Sequence, residues 1–256
     1  MEFRIVIPAR YGAERLPGKP LLAVAGRPLI EHVWRRATAA DAATVVVATD
    51  DARIVDAVRG FGGDVELTAA ALPSGTDRCA AVAVARGWDV DDVVVNLQGD
   101  EPLMPPALLR QVAELLVADD RAGIATLCLP LTRLEEFLDP NVVKVVVAED
   151  GGALYFSRAP IPWDREGVAD GTARAAGAQS SHRGAQRHLG LYAYRVGALL
   201  QLTGTPPCEL EQVEKLEQLR ALWSGIRIHV EVAREAVGPG VDTPEDLARV
   251  AAMLAR

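Results

Sequence analysis

The sequence predicts an α/β protein with a mostly parallel central sheet flanked by helices. Short runs of β-branched residues alternate with segments whose apolar residues recur at helical spacing, as in βα repeats. The predicted strands are apolar on both faces, which is typical of a sheet covered by helices on each side. The chain has 256 residues, half of them apolar, which is enough for a sizeable core, and we predict a single domain over residues 1–256.

The first half of the chain alternates regularly between predicted strands and helices. The strands are predicted at 3–7, 44–49, 64–67 and 92–102, the last of them running into an acidic turn. The helices are predicted at 28–40, 52–62, 74–87 and 105–119. Pro28 suits the first turn of its helix, and a glycine ends the helix at 52–62.

The second half is less regular. Strands are predicted at 141–147, 152–157, 188–195 and 226–233, and helices at 210–223 and 243–255. The first two of these strands flank a Glu-Asp-Gly-Gly turn, which indicates a hairpin. In the last helix, Thr243 is the predicted N-cap and Asp246 stands at the capping-box distance. The segment 159–184 is rich in Pro, Gly, Arg and Ser without a period, which is typical of a lid, an interface or local disorder.

Composition and charge argue against several classes of protein. The formal net charge is -8, whereas a general nucleic-acid binder needs a broad basic surface. No apolar run reaches transmembrane length, and the N-terminus lacks the apolar core of a signal peptide. The cysteines, Cys79, Cys128 and Cys208, are far apart and show no metal-binding spacing. We therefore expect a cytoplasmic protein with reduced thiols that binds neither nucleic acid nor membranes.

The loop after the first predicted strand is basic in an acidic chain. Its sequence, PARYGAERLPGKPL, contains Arg10, Arg15 and Lys19. The glycines do not follow the spacing of a P-loop or of a GxGxxG dinucleotide motif. Arginine forks and a lysine point charge suit the oxygens of a polyphosphate. The loop therefore indicates an anion-binding site, and the alternative is a solvated basic loop.

Acidic residues at predicted strand and helix ends indicate a metal site. Ligands of parallel α/β sheets bind outside the carboxyl ends of the strands, where Asp100 follows an apolar strand. Asp242 precedes the last predicted helix, and acids also favour first turns for reasons unrelated to metals. Carboxylates are hard ligands that suit Mg²⁺ together with phosphate oxygens. The pair would fit a divalent cation that bridges a triphosphate.

Longer motifs resemble a known family. They are, in chain order, IPARYGAERLPGKPL, SGTDR, VNLQGDEPL, PNVVKVV, ALYFSRAPIPW, RHLGLYAYR, LEQLRALW and GVDTPEDL. They closely resemble the 3-deoxy-manno-octulosonate cytidylyltransferase (CMP-Kdo synthetase) family from about residue 3 to residue 253. The resemblance implies a single-domain fold like that of nucleotide-diphospho-sugar transferases, with a smaller mixed β/α subregion at about 130–200 for the acceptor and the dimer contact.

The resemblance also implies a reaction. The family transfers CMP from CTP to the anomeric hydroxyl of 3-deoxy-D-manno-octulosonate (Kdo), a 2-keto-3-deoxy sugar acid, and releases pyrophosphate. It works as a homodimer with Mg²⁺, in lipopolysaccharide biosynthesis. One alternative is the same CMP transfer to a different carboxylated or phosphonylated acceptor. Another is a non-catalytic nucleotide-binding protein, which the joint presence of Lys19, Asp100 and Asp242 argues against.

The same resemblance assigns residues to roles. The catalytic set is Lys19, Arg10, Arg15, Asp100 and Asp242, of which the two aspartates would bind the metal. The residues matching the nucleotide site are Pro8, Ala9, Arg10, Ser74, Gly75, Arg78 and Gln98. The residues matching the acceptor site are Gln98, Arg158, His188, Tyr192, Glu211 and Glu214. Read from the residues alone, His188 could be a structural histidine, Tyr192 could belong to the core, and the glutamates could lie on the solvent-exposed face of a helix.

The chain departs from the family pattern at a few places. Leu72 stands where relatives usually carry a histidine, two residues before the serine of SGTDR. Ala13-Glu14 replaces a typical Ser-Thr pair, and the segment 167–186 matches no fixed pattern. These positions lie near the expected nucleotide and acceptor entrances. The resemblance therefore defines the type of reaction more closely than it defines the acceptor sugar.

Overall fold

A nine-stranded sheet organises the part of the chain described by this computed structural model, residues 1–12, 16–164 and 183–255. The strands and the helices are named in chain order. The strands are β1 (Arg4–Ala9), β2 (Ala23–Val24), β3 (Arg27–Pro28), β4 (Thr44–Thr49), β5 (Asp64–Leu67), β6 (Val93–Asn96), β7 (Ile124–Pro130), β8 (Lys144–Val147), β9 (Ala153–Ser157), β10 (Gln186–Arg195) and β11 (Ile228–Val232). The helices are α1 (Leu29–Thr38), α2 (Ala52–Gly60), α3 (Gly75–Ala85), α4 (Pro106–Ala118), α5 (Leu134–Leu138), α6 (Val196–Gly204), α7 (Glu209–Glu214), α8 (Gln218–Trp223) and α9 (Pro244–Leu254), with a 3₁₀ turn at Lys19–Leu21.

The sheet is mostly parallel, as predicted. Its main strand order is β11-β7-β10-β6-β1-β4-β5. The strands β6, β1, β4 and β5 pair in parallel, and so do β7 and β11. The long strand β10 runs antiparallel to both of its neighbours, β6 and β7. The predicted hairpin is present as β8 and β9, which joins the sheet through β8 and β10. A small separate ribbon is formed by β2 and β3.

Helices cover both faces of the sheet, because successive strand residues point to opposite sides. In β1, Ile5 and Ile7 belong to a core that also contains Ile30 of α1 and Leu108 of α4. Val6, between them, belongs to a second core on the other face, with residues from α3, α6 and α8. The apolar character of the strands on both faces is therefore explained by two helical layers.

Two expectations about the second half need correction. The strand β7 was not predicted, although it is buried and pairs with both β10 and β11. The single amphipathic helix expected at 210–223 is wrong. It is two short helices, α7 and α8, separated at Lys215, which has a left-handed backbone with φ 54. A left-handed residue cannot continue a right-handed helix, so the chain turns and presents the start of α8 to the sheet.

The predicted starts of the helices α3 and α9 are confirmed. Ser74 caps α3, and its hydroxyl accepts from the backbone N–H of Asp77. Thr243 caps α9 in the same way, with Asp246 completing a capping box. Such caps satisfy N–H groups that a helix leaves without partners. Among the helices of the described residues, none is long and apolar enough to cross a membrane.

Candidate active site

A cleft of about 200 Å³ opens at the carboxyl ends of β1 and β6, which are parallel neighbours. Its lining residues are Pro8, Ala9, Arg10, Gly12, Lys19, Pro20, Gly75, Gln98, Gly99 and Asp100. Gly99 lets the two strand ends approach closely, because a Cβ at this position would lie 2.6 Å from the Pro8 carbonyl oxygen. The basic opening loop and the strand end at Asp100 thus share one cleft, at the edge where such sheets bind ligands.

Lys19 joins the two aspartates that the sequence suggests as metal ligands. Its Nζ lies 2.7 Å from Asp100 Oδ2 and 3.3 Å from Asp242 Oδ1. The same ammonium donates to the carbonyl oxygen of Val241 at 2.9 Å. Residues from the start, the middle and the end of the chain therefore meet at one point.

The loop before α9 reaches this point through the backbone. The N–H of Val241 donates to the carbonyl oxygen of Asp100 at 2.9 Å. At Gly240, an added Cβ would lie 2.9 Å from Glu101 Oε1, so a side chain there would push the two loops apart. The contact between the two loops thus does not depend on Lys19 alone.

The two carboxylates could supply only some of the ligands of a hard divalent cation. Among the described residues, no group of three or more His, Cys, Asp or Glu is arranged to hold a metal. Mg²⁺ in proteins is commonly held by one or two carboxylates, with waters and substrate phosphates completing six ligands. Asp100 and Asp242 fit that pattern, in which phosphate oxygens would supply part of the coordination.

Arg10 is held at the cleft by a backbone contact. Its Nη2 donates to the carbonyl oxygen of Leu72 at 2.7 Å. Burial, followed by the charge of Arg78, lowers the pKa of Arg10 from its usual value. Since the contact uses a main-chain oxygen, it does not depend on the side chain at position 72. Arg15, the third cation of the opening loop, lies outside the described residues.

Two residues of the segment Ser74–Arg78 take different positions relative to the cleft. Gly75 lines it, and a Cβ on Gly75 would lie 3.3 Å from Pro8 Cγ. The Arg78 side chain is instead fully buried, with Nη2 2.5 Å from Asp50 Oδ2. Its Nη1 donates to Thr68 Oγ1 at 2.6 Å. The structure therefore places Arg78 behind the cleft, where it ties the end of β4 to the start of α3.

A second cavity, of about 240 Å³, adjoins the first and shares Gln98 and Gly75 with it. Its lining residues are Ser74, Gly75, Thr76, Asn96, Gln98, Ile124, Tyr192, Tyr194, Leu202, Glu217 and Gln218. The hydroxyl of Tyr192 is buried and has no hydrogen-bond partner among the described residues. Burial, followed by the charge of Glu217, raises the pKa of Tyr192, so the phenol stays neutral. A buried hydroxyl without a partner suits a polyhydroxylated ligand that could pair with it.

His188 stands near Tyr192 as a neutral ring. Its Nε2 lies 3.1 Å from Thr126 Oγ1, and that hydroxyl donates to backbone carbonyl oxygens, including Leu191 at 2.8 Å. The threonine oxygen must then accept from Nε2–H, which leaves Nδ1 as an acceptor. Burial lowers the pKa of His188 to about 3. The ring also packs edge-on against Phe156, with centroids 5.0 Å apart.

The remaining acceptor candidates are engaged in contacts within the protein. Arg158 Nε donates to the Glu214 carbonyl oxygen at 2.7 Å, and Nη1 donates to the Pro140 carbonyl oxygen at 3.0 Å. The Glu214 carboxylate accepts from Ser157 Oγ at 2.6 Å and from the backbone N–H of Arg158. Arg158 and Glu214 thus join the end of β9 to α7, and neither lines the two cavities described above.

Glu211 pairs with an arginine of α8. Its Oε2 lies 3.1 Å from Arg220 Nε, and the Arg220 side chain is nearly buried. Burial raises the pKa of Glu211, while the charge of Arg220 acts in the opposite direction. Arg220 also reaches Glu217, with Nη2 3.6 Å from Oε2. Glu211 is therefore connected to the second cavity through Arg220 and Glu217.

Several cavity residues were missed by the reasoning from sequence. Glu217 and Gln218 line the second cavity because the break at Lys215 reorients α8. They stand in the motif LEQLRALW, whose order along the chain was the available signal. Glu101 lies beside Asp100, and burial together with the charges of Asp100 and Asp242 raises its pKa to about 7. Nothing in a local pattern distinguishes Glu101 from an ordinary turn residue.

A matching family model and two full-length relatives all carry the name cytidylyltransferase. A family model described as "Cytidylyltransferase" matches residues 4–228. The 3-deoxy-manno-octulosonate cytidylyltransferase of Thioalkalivibrio sulfidiphilus is 55% identical and covers 99% of each chain. The protein of the same name from Hahella chejuensis is 54% identical and covers 99% of this chain and 98% of its own.

Solved structures agree with this result. A CMP:2-keto-3-deoxy-manno-octonic acid synthetase complexed with CTP has a TM-score of 0.87 at 42% identity, covering 100% of this chain and 99% of its own. A cytidylyltransferase from Leptospira borgpetersenii has a TM-score of 0.65 at 17% identity, covers 100% of this chain and 87% of its own, and shares the fold. On the strength of the full-length relatives, the chain belongs to the 3-deoxy-manno-octulosonate cytidylyltransferases within the cytidylyltransferase family.

Proposed function

We propose that this protein transfers CMP from CTP to the anomeric hydroxyl of Kdo and releases pyrophosphate. The observation that carries the proposal is the meeting of Lys19, Asp100 and Asp242 in a cleft that adjoins a second, polar cavity. Gln98 and Gly75 line both spaces. Two adjoining sites are what a two-substrate transfer needs, since positioning supplies much of the rate in such reactions.

The residues of the first cleft would bind and neutralise the triphosphate. Arg10 and Lys19 are preorganised cations that could stabilise charge on the transferred and departing phosphates. The ends of β1 and β6 would hold the nucleoside, with Pro8, Ala9 and Gly75 allowing close approach of the backbone. We also assign Ser74 to this side, and Arg78 to its support from behind.

A divalent cation, Mg²⁺, would be held by Asp100 and Asp242. When bound, it supplies charge neutralisation and orientation of the phosphates, as in other phosphoryl transfers. The loops that carry the carboxylates are joined by the backbone bond between Asp100 and Val241, and Lys19 contacts both carboxylates.

The second cavity would take the sugar acid. Tyr192 can pair with a hydroxyl, and the amide of Gln98 offers further hydrogen bonds. His188 lines a neighbouring pocket that also contains Gln98, where its Nδ1 can accept a hydrogen bond. Arg158, Glu211 and Glu214 stay assigned to the acceptor side. In the structure their side chains organise β9, α7 and α8 around the cavity instead of lining it.

The homodimer and the cytoplasmic location belong to the same proposal. Large apolar side chains are exposed in the 130–200 subregion, including Leu138, Leu154 and Trp163 at 53%, 62% and 61%. These side chains fall within the sequence range that the resemblance assigns to the dimer contact. Cytoplasmic work on CTP fits the free, buried thiols of Cys79, Cys128 and Cys208.

The proposal is tested by pyrophosphate release from CTP across a panel of 2-keto sugar acids, with UTP, ATP and GTP as competing donors. We expect CTP and Kdo to give the highest kcat/KM. A higher value for another acid would support the alternative acceptor. Absence of turnover with every acid would support a non-catalytic nucleotide binder. Asp100→Asn should nearly abolish turnover in a folded protein, and activity within about tenfold of the native enzyme, a change of only ~1.4 kcal/mol, would remove Asp100 from the metal site.

A further inference from the structure

Lys19 contacts the carboxylates that the proposed cation also needs. We propose that Lys19 competes with the divalent cation for Asp100 and Asp242, so that the cation binds tightly only together with the triphosphate. Lys19 then compensates the charge of the metal carboxylates in the absence of the cation and contacts the phosphates when CTP is bound. This inference rests on the proposed function, which places the cation at these two aspartates.

The contacts of Lys19 fix its ammonium group in place. Besides the two carboxylates, Nζ donates to the Val241 carbonyl oxygen at 2.9 Å. The residue begins the 3₁₀ turn, where its own N–H donates to the Leu16 carbonyl oxygen at 3.0 Å. The next residue, Pro20, is buried. Both ends of the lysine are therefore held. A divalent cation that binds the Asp100 and Asp242 oxygens must either displace the ammonium or bind against its electrostatic repulsion.

The aspartates do not depend on Lys19 for their placement. The backbone bond from Val241 to Asp100 joins the two loops directly. The N–H of Asp242 donates to Asp246 Oδ2 at 3.2 Å, in the capping box that starts α9. Removing the ammonium should therefore leave both carboxylates where they are, with their negative charge no longer compensated. Such a pair attracts a divalent cation more strongly than the compensated pair does.

The triphosphate provides the other half of the argument. Its oxygens would offer Lys19 a new partner and at the same time supply ligands to the cation. Cation and nucleotide would then each strengthen the binding of the other, which is positive cooperativity with a favourable, negative coupling free energy. The native enzyme should consequently bind a divalent cation weakly on its own and much more tightly with CTP.

The test measures Mn²⁺ affinity by electron paramagnetic resonance without nucleotide, for the native protein and for Lys19→Met. We expect Lys19→Met to bind Mn²⁺ at least ~10-fold more tightly, equivalent to ~1.4 kcal/mol. Arg10→Gln is the matched control, because it removes one positive charge from the same cleft but from a side chain that contacts Leu72 instead of the aspartates. Its Mn²⁺ affinity should change by less than ~3-fold.

The outcomes separate this inference from the proposed function. Unchanged or weaker Mn²⁺ binding by Lys19→Met, or an equal gain in Arg10→Gln, overturns the competition while leaving CMP transfer intact. Adding Asp100→Asn to Lys19→Met should remove the gain. If the gain persists, the cation binds elsewhere, and both the competition and the proposed metal site are wrong. Circular dichroism and thermal melting of each variant show that the fold is retained.

Discussion

Arg78 and Asp50 form an ion pair behind the cleft at the ends of β1 and β6, with Arg78 Nη2 2.5 Å from Asp50 Oδ2. The Arg78 side chain is completely buried, and it also donates to Thr68. The pair therefore joins the end of β4, the start of α3 and the chain after β5. These are the segments that set the shape of the cleft beside Gly75.

We expect Arg78→Met to lower the free energy of unfolding by about 3 kcal/mol, because it removes one partner of a buried charge pair. Urea unfolding measures this loss. Changing Asp50 to Asn in the same protein should recover part of it, since the uncompensated carboxylate is then gone. A stable Arg78→Met protein with a much higher KM for CTP would instead indicate that Arg78 contacts the nucleotide.

Lys19 should matter more for rate than for stability. We expect Lys19→Ala to lower kcat/KM for CTP by at least ~100-fold, the scale of one preorganised electrostatic contact. Asp242, one of its two partners, has a side chain that is 66% exposed. The loss of stability without ligand should therefore stay near or below ~1 kcal/mol.

Thermal melting with and without Mg-CTP, alongside initial rates, checks the Lys19 prediction. The stabilisation by Mg-CTP should shrink in the variant, because it reports binding to the native state. Early unfolding combined with normal turnover once folded would show that the opening loop is structural.

Arg220 should act on the acceptor through Glu217. Its nearly buried guanidinium contacts Glu211 and Glu217 and donates to the Thr205 carbonyl oxygen at 2.8 Å. Arg220→Gln leaves two carboxylates uncompensated beside a cavity proposed to hold an anionic sugar. We expect KM for Kdo to rise about tenfold, with KM for CTP within about twofold, since one lost charge contact is worth ~1.4 kcal/mol.

The matched control for Arg220 is Arg227→Gln. Arg227 also pairs with two carboxylates, Asp119 at 3.2 Å and Asp150 at 3.0 Å, but at the β11 edge of the sheet. The Arg227→Gln substitution should leave KM for Kdo and KM for CTP unchanged. Arg220→Lys should recover part of the affinity for Kdo. Parallel rises in the two KM values for Arg220→Gln would point to a general structural defect.

Glu101 should make stability depend on pH near neutrality. Its pKa is raised from 4.5 to about 7 in the folded protein, first by burial and then by Asp100 and Asp242. The protonated form is thus favoured by folding, so the contribution is full below pH 4.5 and is lost as pH rises through about 7. In EDTA, we expect Glu101→Gln to remove a decline of about 2 kcal/mol between pH 5 and pH 8.

Urea unfolding across that pH range tests the Glu101 prediction. Glu114→Gln is a suitable control, because Glu114 is half exposed and pairs with Arg234 at a distance of 3.3 Å. Identical pH profiles for native protein and Glu101→Gln would show that the carboxyl is ionised across the range.

Much of the fold follows from local patterns. β-branched runs identified most strands, and the capping signal at Thr243 located the start of the last helix. The antiparallel direction of β10 was not evident, because its residues alternate no differently from those of a parallel strand. The break at Lys215 also escaped prediction, because the helical spacing continues through it while the backbone does not.

By itself, the sequence determined the alternation of strands and helices, the basic loop after β1 and the acidic residues at the ends of other segments. These features depend on periodicity, on helix caps and on residue type, which act over a few positions. Only the tertiary structure decided that Lys19 meets Asp100 and Asp242, 81 and 223 positions further along the chain. It likewise decided that Arg78 is buried against Asp50 while Glu217 lines a cavity. Such contacts depend on how the whole sheet and its helices pack. Local residue spacing does not encode which residues far apart in the sequence will meet.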